Sequence, residues 1–153
     1  MQYPFAYGLS YTSWKYSALD APASITVCGT AQVSVAVSNT GNVNGSEVAM
    51  LFVTNEHPLY PGQLRWALAG FERVDAAPGQ SAPVVFTLPP LARAEVREED
   101  YERWVMPTTV LLSVGGGKPK QLAVHTTANS LTARVQVTGA AAALDGVTSE
   151  CVQ

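Results

Sequence analysis

"SNTGNVNGSEVAMLFV", residues 38–53, joins two apolar segments through a run of small, polar, turn-forming residues. The segment before it, "QVSVAVS", places Val33, Val35 and Val37 in alternation with Ser and Ala, which is the period of a half-buried strand. The segment after it, "EVAMLFVT", is almost continuously apolar, as is typical of a central strand. We therefore predict two strands joined by a turn at 39–45, and a ligand-binding loop is the less favoured alternative.

The residues of this turn have expected roles of their own. Gly41 and Gly45 are predicted to supply positive φ angles, since glycine adopts them without steric cost. The side chain of Asn39 is predicted to bond neighbouring backbone N–H groups. Asn44-Gly45-Ser46 is also an N-glycosylation triplet, which matters only if the chain is secreted.

Other short segments of strand character are likewise separated by stretches rich in Gly, Pro and Asn. They are "SWKYSAL", "ALAGFERVDA", "APVVFTLP", "TVLLSVGG" and "KQLAVHTTA". About seven strands without a long amphipathic helix predict an all-β antiparallel β-sandwich of the immunoglobulin-like type. We expect three regions: a lead-in segment over 1–13, the sandwich over 14–126, and a C-terminal extension over 127–153. The extension contains one more alternating run and then Ala-rich sequence, which is expected to be poorly ordered or an appendage.

The alternation also predicts which side chains form the core. The expected core residues are Val33, Val35, Val37, Val48, Met50, Phe52, Leu68, Phe71, Val84, Phe86, Leu88, Leu111 and Val114.

Composition limits the classes of function. The chain has 153 residues, 47% of them hydrophobic and 14% charged, which indicates one globular domain. Its net charge of -3, with Lys and Arg scattered, argues against a nucleic-acid partner or an anionic membrane surface. No apolar run approaches the ~20 residues of a membrane span, and the N-terminus lacks the pattern of a signal peptide.

The residue types that carry chemistry are sparse. His57 lies in a Pro-rich loop and His125 in an expected strand, and we interpret both as structural rather than as members of a nucleophilic triad. No spacing of His, Cys or carboxylate residues matches a zinc site, and "GGGKP" at 115–119 is interpreted as a turn. We therefore predict no cofactor and no metal.

The acidic residues are concentrated in one segment, and the two cysteines are far apart in the sequence. The segment "RAEVREEDYERW", residues 93–104, is expected to form a helical turn. Its carboxylates are expected to form a solvated, charged face rather than a carboxylate pair across a cleft. Cys28 and Cys151 are far apart; unpaired thiols are the favoured interpretation, and a disulfide stays open.

Four segments in order resemble the C-terminal module of glycoside hydrolase family 3, the β-glucosidases and β-xylosidases. They are "YPFAYGLSYTSWKY", "VAVSNTGNVNGSEVAMLFV", "LAGFERVDAAPGQSAPVVFTL" and "RWVMPTTVLLSVGG". The resemblance runs from about residue 4 to 125 and implies a fibronectin type III-like β-sandwich. Ala6 replaces a usual Gly, and "MPTTV" lacks the Gly that normally follows Pro.

The resemblance implies a non-catalytic accessory module, because the catalytic Asp and the acid/base Glu of this family belong to domains that precede it. The implied partners are the catalytic domains of a glycosidase acting on plant-type polysaccharides, in a parent that is secreted or extracellular. "VAMLF" leans towards the xylosidase branch. The alternation of Phe5, Tyr7, Leu9 and Tyr11 predicts that the lead-in segment lies at an interdomain interface.

The alternative from another class is a free-standing module that binds carbohydrate or protein. Tyr60 and Trp66 in "HPLYPGQLRW" could stack on sugar rings and Arg65 could bond hydroxyl groups, so these three residues are the candidate sugar contacts. The competing interpretation is that Trp66 covers the edge of the sandwich.

Overall fold

A computed structural model describes residues 8–58, 66–117, 130–146 and 150–151. Its secondary structure consists of β-strands and one short 3₁₀ turn, Pro90–Arg93. The strands are β1 (Trp14–Asp20), β2 (Ser24–Thr26), β3 (Ala31–Asn39), β4 (Gly45–Asn55), β5 (Ala67–Ala76), β6 (Ser81–Leu88), β7 (Glu95–Val96), β8 (Arg103–Val105), β9 (Thr109–Gly115), β10 (Ser130–Thr138) and β11 (Ala142–Ala143).

The strands form two main sheets and one small one. The first sheet has the order β1-β3-β6 and the second has the order β2-β10-β9-β4-β5. All pairs in these sheets are antiparallel except β10 with β2, which is parallel. A third sheet, β11-β8-β7, lies beside them. The predicted all-β sandwich is confirmed, and its strands include the short β2, β7, β8 and β11 that the alternation did not reveal.

The core lies between the two main sheets and is built from their inward side chains. Its fully covered members are aliphatic for the most part, including Val33, Val37, Leu51, Leu88 and Leu112. Branched aliphatic side chains suit this position because they pack closely on a pleated surface. The predictions for β3 and β6, namely Val33, Val35, Val37, Val84, Phe86 and Leu88, are confirmed.

The predicted facing of β4 and β5 is wrong. Ala49, Leu51 and Val53 point inward from β4, whereas Val48 is exposed and Met50 is half-buried. In an uninterrupted apolar run both faces carry hydrophobic residues, so the alternation cannot show which face is inward. Phe52 is nevertheless buried on the outer face, beside an irregularity of register between Leu51 and Phe52.

The same correction applies to strands β5 and β9. Phe71 and Leu68 are exposed, and Val74 is the buried hydrophobic residue of β5. In β9, Val114 is buried as predicted, but Leu111 is only half-buried because Val110 and Leu112 take the inward positions.

The sandwich extends beyond the expected boundary near residue 126. Ser130–Thr138, within the expected C-terminal extension, is β10, which lies between β2 and β9 and buries Val135 and Val137. Farther along, Leu144 is buried and forms a bridge with Cys151. The expected strand "KQLAVHTTA" and His125 lie outside the described residues.

The two cysteines form a disulfide, contrary to the favoured interpretation of free thiols. Cys28 and Cys151 are joined across 123 positions of sequence, with their Cα atoms 5.7 Å apart. The bond ties the end of the chain to the turn that follows β2.

The charged segment 93–104 is a small hairpin rather than a helical turn. Strands β7 and β8 pair through Glu95↔Trp104 and Val96↔Arg103. Arg97 closes the turn by bonding Asp100 and stacks over the ring of Trp104, 4.2 Å from its centroid. Most of the acidic residues are exposed as expected, but Glu95 is buried.

Across the described ranges, no helix has the length and apolar character needed to cross a membrane.

Candidate functional site

The turn at 39–45 is organised by one buried side chain, that of Asn39. Its amide nitrogen donates to the carbonyl oxygens of Val43 (2.8 Å) and Ala76 (2.9 Å). Its amide oxygen accepts from the hydroxyl of Thr12 (2.5 Å) and the backbone N–H of Gly41 (3.0 Å). Two donated and two accepted bonds use the full capacity of an asparagine amide, so the turn is a structural centre rather than an open loop.

The glycines of this turn serve close approach rather than positive φ. The positive-φ glycines among the described residues are Gly79 and Gly139, so the predicted role of Gly41 and Gly45 is wrong. A Cβ on Gly41 would lie 2.2 Å from the Thr12 hydroxyl oxygen and 2.8 Å from the Ser13 nitrogen. The lead-in segment therefore passes directly against the turn, and the backbone N–H of Thr40 donates to the Ser13 carbonyl (2.7 Å).

The lead-in segment leaves the sandwich just before Thr12. Leu9 is 95% exposed and Tyr11 is fully exposed, so neither contributes to the core of this domain. Phe5 and Tyr7 of the expected interface lie outside the described residues. Two large apolar side chains thus protrude immediately before the point where Thr12 and Ser13 anchor the chain.

Of the candidate sugar contacts, Tyr60 and Arg65 lie outside the described residues. Trp66 is half-buried and directly precedes β5, the edge strand of the second sheet. The described residues therefore do not assemble the three candidates into a site.

A buried arginine that sequence reasoning missed holds the turn containing Cys28. The guanidinium of Arg93 donates to the carbonyl oxygens of Val27 (3.2 Å), Gly29 (2.5 Å) and Thr26 (3.4 Å). Burial lowers the pKa of Arg93 to about 10, which still leaves it charged at neutral pH. Its own carbonyl accepts from Asn55 (3.2 Å), whose amide nitrogen also bonds Glu95.

A second, partly buried polar contact joins Tyr16 of β1 to Glu47 of β4. The hydroxyl of Tyr16 donates to the Glu47 carboxylate at 2.9 Å. Burial raises the pKa of Glu47, and the hydrogen bond from Tyr16 opposes this shift only in part. Burial and the neighbouring carboxylate also raise the pKa of Tyr16. No sequence signal marked Glu47, because its inward position depends on the facing of β4.

A depression with a volume of about 620 Å³ lies beside His57. Pro58, Met106, Pro107, Thr108 and Gln136 are among its other lining residues, and no carboxylate is included. Glycoside hydrolysis requires a pair of carboxyl groups across the substrate, so this depression does not have the groups for that chemistry. Among the described residues no group of three His, Cys, Asp or Glu side chains could hold a metal ion.

Comparison with known proteins identifies the domain type. The model of the fibronectin type III-like domain matches residues 47–116. A β-xylosidase from Formosa agariphila is 38% identical over 115 residues, which cover 74% of this chain and 16% of that protein. A probable β-glucosidase D from Aspergillus oryzae is 34% identical over 134 residues, with coverage of 75% and 16%.

A solved structure agrees with these matches. A β-glucosidase from Erythrobacter marinus superimposes with a TM-score of 0.75 at 30% identity, covering 89% of this chain and 17% of that one. This chain thus spans about one sixth of the length of the proteins it matches. Together with the order of the four sequence segments, the matches show that the chain is a fibronectin type III-like domain of the kind carried by glycoside hydrolase family 3 β-glucosidases and β-xylosidases.

Proposed function

We propose that this chain is a non-catalytic accessory domain of a family 3 β-glycosidase and that it stabilises the catalytic domains of that enzyme. This proposal is supported by the small share of the glycosidases' length to which the chain corresponds. About three quarters of the chain aligns with glycosidases, yet it accounts for only 16% of their length. The depression beside His57, which has no carboxylate, is consistent with chemistry that takes place elsewhere in the parent enzyme.

The test compares three proteins: the isolated chain, the full enzyme that contains it, and that enzyme without it. We expect no turnover of aryl β-xylosides or β-glucosides by the isolated chain. We expect the enzyme without the domain to lose thermal stability relative to the full enzyme. Turnover by the isolated chain that vanishes when one of its acidic residues is changed would contradict the proposal, and so would an enzyme equally stable without the domain.

The lead-in segment is the first proposed contact with the catalytic domains. Leu9 and Tyr11 are both exposed, and large apolar side chains in that state mark interfaces when they occur together. They lie immediately before Thr12, which is fixed to Asn39, so their position relative to the sandwich is defined by that anchor. Phe5 and Tyr7 continue the same alternation in the sequence and belong to the proposal on that ground.

The proposed substrate of the parent enzyme is a plant-type polysaccharide, and we propose that the enzyme prefers β-xylosides to β-glucosides. Identity of 38% to the β-xylosidase and 34% to the β-glucosidase supports this preference, as does the "VAMLF" segment of β4. Comparing kcat/KM of the full enzyme for aryl β-xyloside and aryl β-glucoside tests it, and a higher value for the glucoside would overturn it.

We also propose that the parent enzyme works outside the cytosol. The Cys28–Cys151 disulfide supports this location, since such bonds persist in oxidising compartments. Mass spectrometry of the native enzyme with and without prior reduction tests the proposal, and free thiols at both positions would contradict it.

A further inference from the structure

The outer face of β4 and β5 carries apolar side chains where solvent-facing sheets normally carry polar ones. Phe71 is 66% exposed, Leu68 is 43% exposed and Val48 is 38% exposed. Met50, directly opposite Phe71 in the pairing of the two strands, is half-buried. We call these four residues the β4–β5 face.

The opposite side of the sandwich shows that this face is not a general property of the domain. On β3 the outward residues are Gln32, Ser34, Ala36 and Ser38, and on β6 they are Ser81, Pro83, Val85 and Thr87. Val85 is the single large exposed hydrophobic residue in that set, at 51% exposure. Isolated exposed hydrophobic residues are normal, whereas adjacent ones mark an interaction site.

The β4–β5 face has the layout of a protein interface, with an apolar centre and a charged rim. Arg73 and Asp75 follow Phe71 on β5, and both side chains are strongly exposed. Arg73 donates to the hydroxyl of Ser46 at 2.9 Å, and that hydroxyl bonds Asp75. Strand β5 is also the edge strand of its sheet, so a neighbouring domain could reach it from two sides.

A sugar chain fits this face less well than a protein surface does. Sugar recognition combines a flat aromatic ring with free hydrogen-bonding groups beside it. Here Phe71 is opposite Met50, and Val48 and Phe52 lie on either side of Met50 on the same face of β4, so the ring is surrounded mainly by hydrophobic side chains. The nearest polar groups, on Arg73, Ser46 and Asp75, already bond one another.

We propose that the β4–β5 face is the surface on which this domain packs against the catalytic domains of its parent β-glycosidase. This inference rests on the accessory function proposed above and assigns it a surface. The catalytic domains are the expected partner of this face, because the matched glycosidases contain about five times as much other sequence as the part that aligns with this chain. The lead-in segment reaches the sandwich at Gly45, the first residue of β4, whereas the β4–β5 face is centred on Met50 in the middle of the same strand, so β4 connects the two proposed contacts.

The experiment uses Phe71→Glu and, as a matched control, Val85→Glu on the opposite sheet. In the isolated chain both variants should melt within about 2 °C of the wild type, since both side chains are exposed. In the full enzyme Phe71→Glu should lower the midpoint of thermal inactivation by about 3 °C or more, because a charge would be buried at the interface, while Val85→Glu should leave it unchanged. Phe71→Ala, which introduces no charge, should give a smaller decrease in the same direction.

Other results in the full enzyme would distinguish an error in the proposed face from an error in the proposed accessory function. Equal effects of Phe71→Glu and Val85→Glu in the full enzyme would overturn the assignment of this face. If removal of the whole domain destabilised the enzyme while Phe71→Glu did not, only the face would be wrong. If removal had no effect, the accessory function itself would fail.

Two further measurements on the isolated chain test the other occupants. In sedimentation velocity, a dimer that Phe71→Glu dissociates would overturn the proposal in favour of a second copy of this chain. In affinity electrophoresis, retardation by xylan or β-glucan that Phe71→Glu abolishes would overturn it in favour of a polysaccharide.

Discussion

At the scale of the residue, Asn39 connects three parts of the chain. Its side chain binds the lead-in segment, the turn after β3 and the end of β5. Its backbone pairs with the neighbouring turn as well, through Gln80 and Gly79. That turn, Ala77 to Gln80, has Pro78 followed by Gly79 at φ +74°, the arrangement of a type II turn.

Replacing Asn39 by alanine should destabilise the domain by about 2–4 kcal/mol, because the buried carbonyl oxygens of Val43 and Ala76 would lose their donor. Urea denaturation of the isolated chain measures the loss. Asn42→Ala, at an exposed position in the same turn, is the control and should change stability by less than about 0.5 kcal/mol. Similar losses for the two variants would show that Asn39 is not the centre of the turn.

Glu47 gives a pH-dependent prediction. Because burial raises its pKa in the folded state, the protonated form is favoured in the fold. Its contribution to stability is therefore present below the pKa of the unfolded chain and is lost as the pH rises through the higher pKa of the folded state.

Glu47→Gln should accordingly match the wild type at acidic pH and become the more stable protein as the pH rises to neutral. The glutamine still accepts the hydrogen bond from Tyr16 but carries no charge. Thermal unfolding of both proteins between pH 3.5 and 7.5 measures the difference. A difference that does not change over this range would show that the carboxyl group titrates normally.

Among single residues, local interactions could be predicted from the sequence and long-range ones could not. The involvement of Asn39 in its turn was predictable, since asparagine beside glycine favours local hydrogen bonds. The roles of Arg93 and Glu47 were not, because each depends on partners far away in sequence. Arg93 contacts carbonyl groups 64 to 67 residues earlier, and Tyr16 is 31 residues from Glu47.

At the scale of the element, strands with clear alternation were predicted correctly and those without it were not. In β3 the small and polar residues between Val33, Val35 and Val37 identify the outward face. In β4 the run "VAMLFV" offers no polar residue that would do so. Val48, which is exposed, was assigned to the core for that reason, and it belongs to the face proposed as an interface.

The disulfide should stabilise the connection between the turn after β2 and the end of the chain. Its loss should cost about 2–4 kcal/mol, since the bond closes a long loop in the unfolded state. Thermal unfolding with and without dithiothreitol measures this cost. A Cys28→Ala/Cys151→Ala variant should melt like the reduced wild type and should not respond to dithiothreitol; identical melting of the oxidised and reduced wild type would contradict the prediction.

At the scale of the whole molecule, the sandwich and its lead-in segment separate at Thr12. Deleting residues 1–11 should leave the domain folded, with a melting temperature within about 2 °C of the full chain, because Leu9 and Tyr11 make no contribution to the core. Circular dichroism and thermal unfolding of the shortened chain measure this.

Deleting residues 1–13 is the matched comparison. It also removes the Thr12 hydroxyl from Asn39 and the Ser13 carbonyl from Thr40, so the melting temperature should fall by about 3–8 °C. Unfolding of the shorter deletion would instead place Leu9 and Tyr11 in the core, and the interface proposed for them would have to be abandoned.

The pairing of β2 with β10 and the disulfide beside it have a consequence for biosynthesis. Both join an early part of the chain to a late one, and the two cysteines are 123 residues apart. At translation rates of about 5–20 residues per second, Cys28 leaves the ribosome roughly 6–25 s before its partner. During that interval its thiol is free to form mixed disulfides with other proteins, and β2 has no partner strand until β10 has been made. The Cys28–Cys151 bond can therefore form only after nearly the whole domain has been translated.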